Sequence, residues 1–284
     1  MSIRPEIRLY AILAKEAPVA VVFRRGPSKV FATLGWNLND DSFFVGQWLK
    51  GVINVDASSL SPDGKFLLYE AATYRSGDWR KECYTAISYS PYLHALDFYL
   101  HNTVESSGGF FISDHVAYLP ASQDGLRYPE NRHLTKLNLL SSTDRWKLTE
   151  HSNRFGHYFV HGLLNSGWSE HLNADRSISW RKPLSNGLIL EKYPVRNEAS
   201  ARNQANRIID SGGEPVLGGD SWEWADYDSP RKRIVFASAG KMFAIPVAAP
   251  KTVPQELFDF NEMQYEPKAA PYTEPYPCDR NNRR

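Results

Sequence analysis

The stretch from residue 60 to residue 71 places a tight turn directly before a buried strand, and no other feature restricts the fold as strongly. Pro62 fixes φ for the second position of a β-turn, Asp63 can bond its own backbone two residues on, and Gly64 tolerates positive φ. Residues 66–69 then form an unbroken apolar run, as expected when both faces of a strand are covered. The stretch therefore predicts a hairpin corner in a β-rich protein.

Strand-length runs separated by short polar turns recur along the chain. The β-branched run at 19–23 predicts a central strand, and the Asn186-Gly187 pair is a strong hairpin signal. Further strands are predicted at 7–13, 30–38, 43–49, 84–88, 95–99, 109–112, 116–119, 137–140, 158–160, 177–180 and 188–191, with another beginning at residue 208. Grouped at the usual spacing of roughly 40 to 50 residues, they make about five propeller blades, or six if the weakly patterned middle contains one more.

Two stretches carry a resemblance to a known repeat. Residues 60–69, an apolar residue followed by Ser-Pro-Asp-Gly-Lys and a strand ending in an aromatic, resemble the TolB-type, WD-like β-propeller repeat. A weaker copy covers 224–228, 233–237 and 240–245. The whole chain is also similar to a set of uncharacterised bacterial proteins that open with the sequences found here at 8–14 and 24–29. The resemblance implies a propeller without implying an activity, because propellers host enzymes, scaffolds and lectin-like binders alike.

The predicted fold class is thus all-β, a single β-propeller of about five blades over residues 1–247, followed by a proline-rich C-terminal extension over 248–284. The N-terminal strand and the hairpin at 233–247 are expected to help close the ring. The extension has six prolines but also more apolar side chains than a free tail usually shows. We therefore expect it to lie along the propeller and to cover one face or one groove between blades.

Composition excludes several classes of partner. The chain has 33 basic and 32 acidic residues, so no net field would draw it to nucleic acid or to an anionic membrane. The N-terminus predicts neither a signal peptide nor a spanning helix, and a cytoplasmic location is expected. Cys83 and Cys278 belong to no CxxC motif, which suits a reducing compartment, although a bridge between them stays open.

The histidines are the first candidates for metal ligands. All eight lie between His94 and His171, and His157 and His161 are four residues apart. On a helix this spacing would direct both rings to one metal, but the residues between them favour a strand, on which they would lie about 13 Å apart. The sequence therefore predicts no metal site. It also contains no cofactor motif, so no cofactor is expected.

The stretch from residue 214 to residue 228 is the strongest candidate for a ligand site. Carboxylates beside tryptophans are used in sugar binding and glycoside hydrolysis, the acids for proton transfer and the rings for stacking. The alternative is structural, because tryptophans and acids at the start of a propeller strand can pack between blades and bond turn amides. The candidate ligand-binding residues are Asp220, Trp222, Glu223, Trp224 and Asp226, and no catalytic residue is assigned.

Three functions follow from these observations. With no assembled catalytic set, the first is a non-enzymatic binding module whose loop face engages another protein, as a scaffold or as the inhibitor of a toxin-like partner. The second is a carbohydrate-binding or glycoside-hydrolysing propeller built on the acidic and aromatic cluster. The third is a hydrolase that acts on a small ligand in the central channel, because such channels are good pockets.

Overall fold

A computed structural model describes residues 7–72, 83–101, 108–119, 136–140, 157–194, 204–219 and 221–272. Its strands form five sheets arranged as a five-bladed β-propeller, so the predicted fold class is confirmed. Blade 1 contains β1 (Arg8–Leu13), β2 (Val19–Arg25), β3 (Val30–Asn37) and β4 (Ser42–Lys50). Blade 2 contains β5 (Val52–Leu60), β6 (Phe66–Ala72), β7 (Cys83–Tyr89) and β8 (Ala95–His101).

The other three blades differ in size. Blade 3 contains β9 (Phe110–Ser113), β10 (Val116–Tyr118) and β11 (Asn138–Leu140), and helix α1 (His157–Asn165) precedes blade 4. Blade 4 contains β12 (Ser169–Leu172), β13 (Ile178–Pro183), β14 (Ile189–Pro194), β15 (Gln204–Ile209) and β16 (Pro215–Gly219). Blade 5 contains β17 (Trp224–Asp228), β18 (Arg233–Ser238), β19 (Lys241–Pro246) and β20 (Gln255–Asp259). Neighbouring strands are antiparallel except β10 and β11, which are parallel.

The turn between β5 and β6 forms as the sequence predicts. Asp63 Oδ1 accepts hydrogen bonds from Ser61 Oγ at 2.6 Å and from the Lys65 amide at 3.0 Å, which closes the turn with its own side chain. Gly64 has a φ of 74°, and a Cβ there would lie 2.2 Å from Val19 Cγ2. The Asp63 amide also donates to Asp114 Oδ1 at 2.7 Å, so the same turn joins blade 2 to blade 3.

The ring closes through side chains of blades 1 and 5. In the described part of the chain, each of these sheets is built from consecutive strands, and neither takes a strand from the other terminus. Glu223 accepts hydrogen bonds from the amides of Leu9 and Ala239, and Arg233 binds both Asp41 of blade 1 and Asp228 of its own blade at 2.7 Å. Closure therefore depends on packing and buried ion pairs between the two blades.

Residues 248–272 contact three regions of the propeller. β20 pairs with β19 as the last strand of blade 5. The guanidinium of Arg24 in blade 1 donates to the carbonyl oxygens of Phe260 at 2.8 Å and of Met263 at 3.0 Å. Tyr272 donates its hydroxyl to the carbonyl of His94 at 2.7 Å beside blade 2. Residues 273–284, which include Cys278, lie outside the described residues, whereas Cys83 is buried on β7.

Two predictions of secondary structure are wrong. Residues 158–160 belong to α1 and not to a strand, because Val160 and Leu163, three residues apart on the helix, both bury in the core between blades 4 and 5. The helix ends with the amide of Gly167 bonded to Leu164 O and that of Trp168 bonded to Leu163 O, with positive φ at Gly167. The strand expected to begin at residue 208 instead begins at Gln204 and ends at Ile209.

Candidate functional site

A cavity of about 830 Å³ lies in the middle of the ring, because all five blades contribute to its wall. The charged and aromatic lining residues that bear on its chemistry are Tyr10, Asp56, Trp168, Lys182, Lys192 and Asp226. They come from β1, β5, the connection between α1 and β12, β13, β14 and β17. These six residues, two lysines, two carboxylates and two aromatic rings, come from distant parts of the sequence.

Lys192 is a buried cation in this wall. Its exposed fraction is 6%, and its Nζ donates a hydrogen bond to Asn206 Oδ1 at 2.7 Å. The Asn206 amide is oriented by its Nδ2, which donates to Trp222 O at 2.9 Å. The Nζ also lies 5.1 Å from the ring centroid of Trp168. Among the described residues, no carboxylate lies within ion-pair distance of this ammonium group.

Lys182, unlike Lys192, forms an ion pair with a carboxylate of the described cavity wall. Its Nζ lies 2.5 Å from Asp226 Oδ1, and that oxygen also accepts a hydrogen bond from the Tyr227 amide at 2.7 Å. The Lys182 Nζ is 5.0 Å from the same Trp168 ring that Lys192 approaches. Two ammonium groups therefore share one indole, and within the described ranges only that of Lys182 forms an ion pair with a carboxylate.

The electrostatics of the wall follow from burial. Burial lowers the pKa of Lys192 to about 8; Asp226 and Asp56 oppose this shift, and Lys182 adds to it. Burial also raises the pKa of Tyr10 far above its ordinary value, and the same two carboxylates raise it further. At neutral pH the Tyr10 phenol is therefore neutral, while most Lys192 side chains are charged.

Of the four predicted ligand residues that the structure describes, two lie at the cavity. Trp224 and Asp226 line it. Trp222 instead stacks on Phe236 with ring centroids 4.0 Å apart in the core. Glu223 bonds the backbone amides that join blades 1 and 5. Asp220 lies outside the described residues, so its place relative to the cavity is not described.

Sequence reasoning missed Tyr10, Asp56, Lys182 and Lys192. They lie on four different strands, and no local motif joins them. The sequence contained one signal for Lys192. It follows the strand-forming run 188–191, and a lysine in an otherwise buried strand is rare and indicates a specific role. Its neighbours across the sheet, Trp180 and Asn206, become visible only with the strand register.

The two spaced histidines lie on a helix, so the argument made from a strand does not hold. His161 is buried and its ring stacks on Phe110, with centroids 4.8 Å apart. The side chain of His157 lies outside the described residues. Among the residues that the structure describes, no group of three or more potential ligands is arranged to hold a metal ion. No helix within the described ranges is long and apolar enough to span a bilayer.

Comparison with known proteins adds little beyond the fold. No family model and no curated protein matches the sequence. An uncharacterized protein from Listeria monocytogenes is similar in structure at 8% identity with a TM-score of 0.27, over 84% of this chain and 62% of that one. A prolyl endopeptidase is similar at 9% identity with a TM-score of 0.30, over 88% of this chain and 42% of that one. The chain spans less than two thirds of either protein, and neither similarity bears on its function.

Proposed function

We propose that the protein is a binding module that holds a small organic carboxylate in its central cavity. The Lys192 ammonium group supports this, because it is buried in the cavity wall with no carboxylate of the described residues within ion-pair distance. A buried charge without a counter-ion is costly, and an anionic ligand would compensate it. With a pKa of about 8, most Lys192 side chains carry this charge at neutral pH.

The size of the cavity suits a small molecule. Its volume of about 830 Å³ lies in the range of roughly 300 to 1,000 Å³ that such sites usually occupy. More of the wall is apolar than polar, as is typical of sites that orient a ligand through polar groups set among apolar ones. Lys182 is already neutralised by Asp226, so Lys192 is the group expected to bind the carboxylate.

Calorimetric titration of the full chain with acetate, succinate and benzoate tests the proposal. At least one of them is expected to bind, with binding lost in Lys192→Met and kept in Lys192→Arg, which preserves the charge. Lys251→Met is the matched control, because Lys251 is exposed and outside the cavity wall. No binding by any of the three anions, or unchanged binding in Lys192→Met, would contradict the proposal.

A protein partner at the loop face stays a prediction. Its physical basis is the surplus of aromatic and arginine side chains, which anchor many interfaces. The described surface exposes large apolar side chains at separate sites, including Phe44, Leu172 and Val253. Partner capture from native cell extract, followed by mass spectrometry, tests this prediction. Elution of the protein alone at every salt concentration would count against it.

Carbohydrate binding through the acidic and aromatic cluster also stays a prediction. The geometry favours it less than carboxylate binding, because Trp222 packs in the core and the Trp168 ring is approached by two ammonium groups. Trp224, which lines the cavity, is 3% exposed and therefore offers little ring surface for stacking on a sugar. A glycan array and a panel of chromogenic glycosides test this hypothesis. The absence of binding on the array together with the absence of hydrolysis of any glycoside would contradict it.

A further inference from the structure

We propose that Lys192 captures its ligand covalently, as an imine, and that the ligand class is therefore a small 2-oxo acid. This inference rests on the proposed function, because it uses the same cavity and the same lysine. It adds a carbonyl group next to the carboxylate of the ligand and assigns Lys192 as the nucleophile. Three features of the site support it: the way the amine is held, its burial, and the balance of the reaction.

The amine is fixed in place in the cavity wall. Lys192 lies in β14, between β13 and β15 of a five-stranded sheet, so its backbone is held on both sides. Its Nζ donates to Asn206 Oδ1, and Asn206 is itself anchored to Trp222 O. A neutral amine that donates one hydrogen bond to an amide oxygen keeps its lone pair for an electrophile. A lysine desolvated beside another cation is a recognised way to activate this nucleophile.

Burial of the Lys192 amine favours its neutral form. Lys182 from β13 faces it with a like charge, and Asp226 from β17 and Asp56 from β5 oppose that effect. Burial outweighs the neighbouring charges and lowers the pKa of Lys192 from 10.5 to about 8. At neutral pH the fraction of neutral amine is therefore roughly 300-fold larger than for an ordinary lysine.

The reaction balances without any oxidant or reductant. The Lys192 Nζ lone pair attacks the carbonyl carbon, a C–N bond forms, and the π electrons of the carbonyl move to oxygen. That oxygen takes a proton while the nitrogen loses one to solvent, which gives the carbinolamine. The nitrogen lone pair then forms the C=N bond, and the protonated hydroxyl leaves as water. The protonated imine keeps a positive charge in the wall, so the adjacent carboxylate of the ligand retains its counter-ion.

Reductive trapping tests this step directly. The full chain is incubated with pyruvate, reduced with sodium borohydride, and examined by intact mass measurement and peptide mapping. We expect a single adduct, located on Lys192, and its complete loss in Lys192→Arg. Lys251→Met should keep the adduct, since Lys251 is exposed and outside the cavity wall. Acetone, which has the carbonyl but no carboxylate, should label the protein at least about tenfold more slowly, equivalent to about 1.4 kcal/mol.

The outcomes separate this inference from the proposed function. Adducts spread over exposed lysines, or an adduct that persists in Lys192→Arg, would overturn the covalent capture even if succinate binds to the wild type. Equal labelling by acetone and pyruvate would overturn the 2-oxo acid class. Failure of the carboxylate panel to bind the wild type would instead overturn the proposed function. Circular dichroism of each variant verifies that a lost adduct is not caused by unfolding.

Discussion

Two neighbouring residues of β14, Glu191 and Lys192, are both buried charges, but they lie on opposite faces of the sheet and have opposite surroundings. Glu191 is fully buried, and its two carboxylate oxygens accept hydrogen bonds from Ser179, Arg181 and Arg207. Lys192 has an amide oxygen and an indole ring as its neighbours, and it lines the cavity. Since side chains alternate along a strand, one β-strand supplies both environments.

The difference teaches how a single blade separates stability from binding. On the Glu191 face, the strand register places Arg181 and Arg207 directly across from the carboxylate on the two adjacent strands. The buried carboxylate there is compensated within the protein. On the Lys192 face, the cross-strand neighbours are Trp180 and Asn206, and neither carries a charge. We infer that the first face stabilises the blade and that the second retains a charge for a ligand.

The largest expected effect is a loss of stability on substitution of Glu191. Glu191→Ala removes the carboxylate that two arginines share and leaves both guanidinium groups without a partner there. The free energy of unfolding should fall by about 3 kcal/mol, at the lower end of values for broken buried pairs, because both arginines are partly exposed and can recruit water. Urea denaturation monitored by tryptophan fluorescence measures the change.

Glu256→Ala is the matched control for this loss. Glu256 also receives a lysine hydrogen bond, from Lys241 Nζ at 2.9 Å, but its side chain is 47% exposed. Exposed pairs contribute about 0 to 1 kcal/mol, so the control should lose no more than that. Equal losses in the two variants would show that burial does not distinguish the Glu191 site and would break the comparison.

The stability that Glu191 contributes should depend on pH in the acidic range. Burial alone would raise the pKa of Glu191, but hydrogen bonds and attraction from Arg207 and Arg181 outweigh it and hold the pKa below its ordinary value. The unfolded state therefore binds the proton first as pH falls. The advantage of wild type over Glu191→Ala should be complete above the ordinary glutamate pKa and decline as pH falls through the lowered one. Denaturation curves at a series of acidic pH values measure the decline, and an advantage that grows with acidity would contradict it.

The blades were predictable because their pattern is local. The run at 19–23 is β-branched and its residues are buried in β2, so propensity and burial indicate the same structure. Residues 158–160 have a similar composition but form part of α1, because the core contacts of Val160 and Leu163 require a helical spacing. Where tertiary packing opposed local propensity, the prediction was wrong.

The site was less predictable than the fold because it is assembled from distant strands. Trp224 and Asp226 were identified because a carboxylate and an aromatic ring are close together in the sequence. The same reasoning also selected Trp222, which packs in the core, and Glu223, which helps to join blades 1 and 5. Lys192 and Asp56 are separated by more than a hundred residues, and only the ring brings them to one cavity. Residue composition therefore indicates a candidate stretch, whereas the geometry of the blades decides which side chains meet.

A substitution that gives the Lys192 face a counter-ion of its own should have the next largest effect. Asn206→Asp places a carboxylate where Oδ1 now accepts the Lys192 hydrogen bond at 2.7 Å. The pKa of Lys192 should rise from about 8, and each unit of rise lowers the fraction of neutral amine about tenfold at neutral pH. Pyruvate trapping should therefore fall by about tenfold or more, and succinate binding should weaken because the ammonium group is already neutralised.

Asn206→Leu is the matched control for this substitution. It removes the hydrogen-bond acceptor at nearly the same volume and adds no charge, so the pKa of Lys192 should not rise. Trapping of pyruvate should persist in the leucine variant and fall in the aspartate variant. If both variants lose trapping equally, the orientation of the amine by Asn206 matters more than the missing counter-ion, and the comparison between the two faces of β14 fails.

The smallest expected effect is the change in stability on substitution of Lys192. Lys192→Met removes a buried charge, which favours folding, and leaves Asn206 Oδ1 without its donor, which disfavours it, so the change near pH 7 should stay within about 1 kcal/mol. Because the folded pKa of about 8 lies below the ordinary 10.5, the unfolded wild type binds more protons between these values. Wild-type stability should therefore rise relative to Lys192→Met from about pH 8 to about pH 10.5. Urea denaturation of both proteins across this range measures the difference; a wild-type advantage that shrinks as pH rises would mean that Lys192 is stabilised as a cation, as Glu191 is stabilised as an anion.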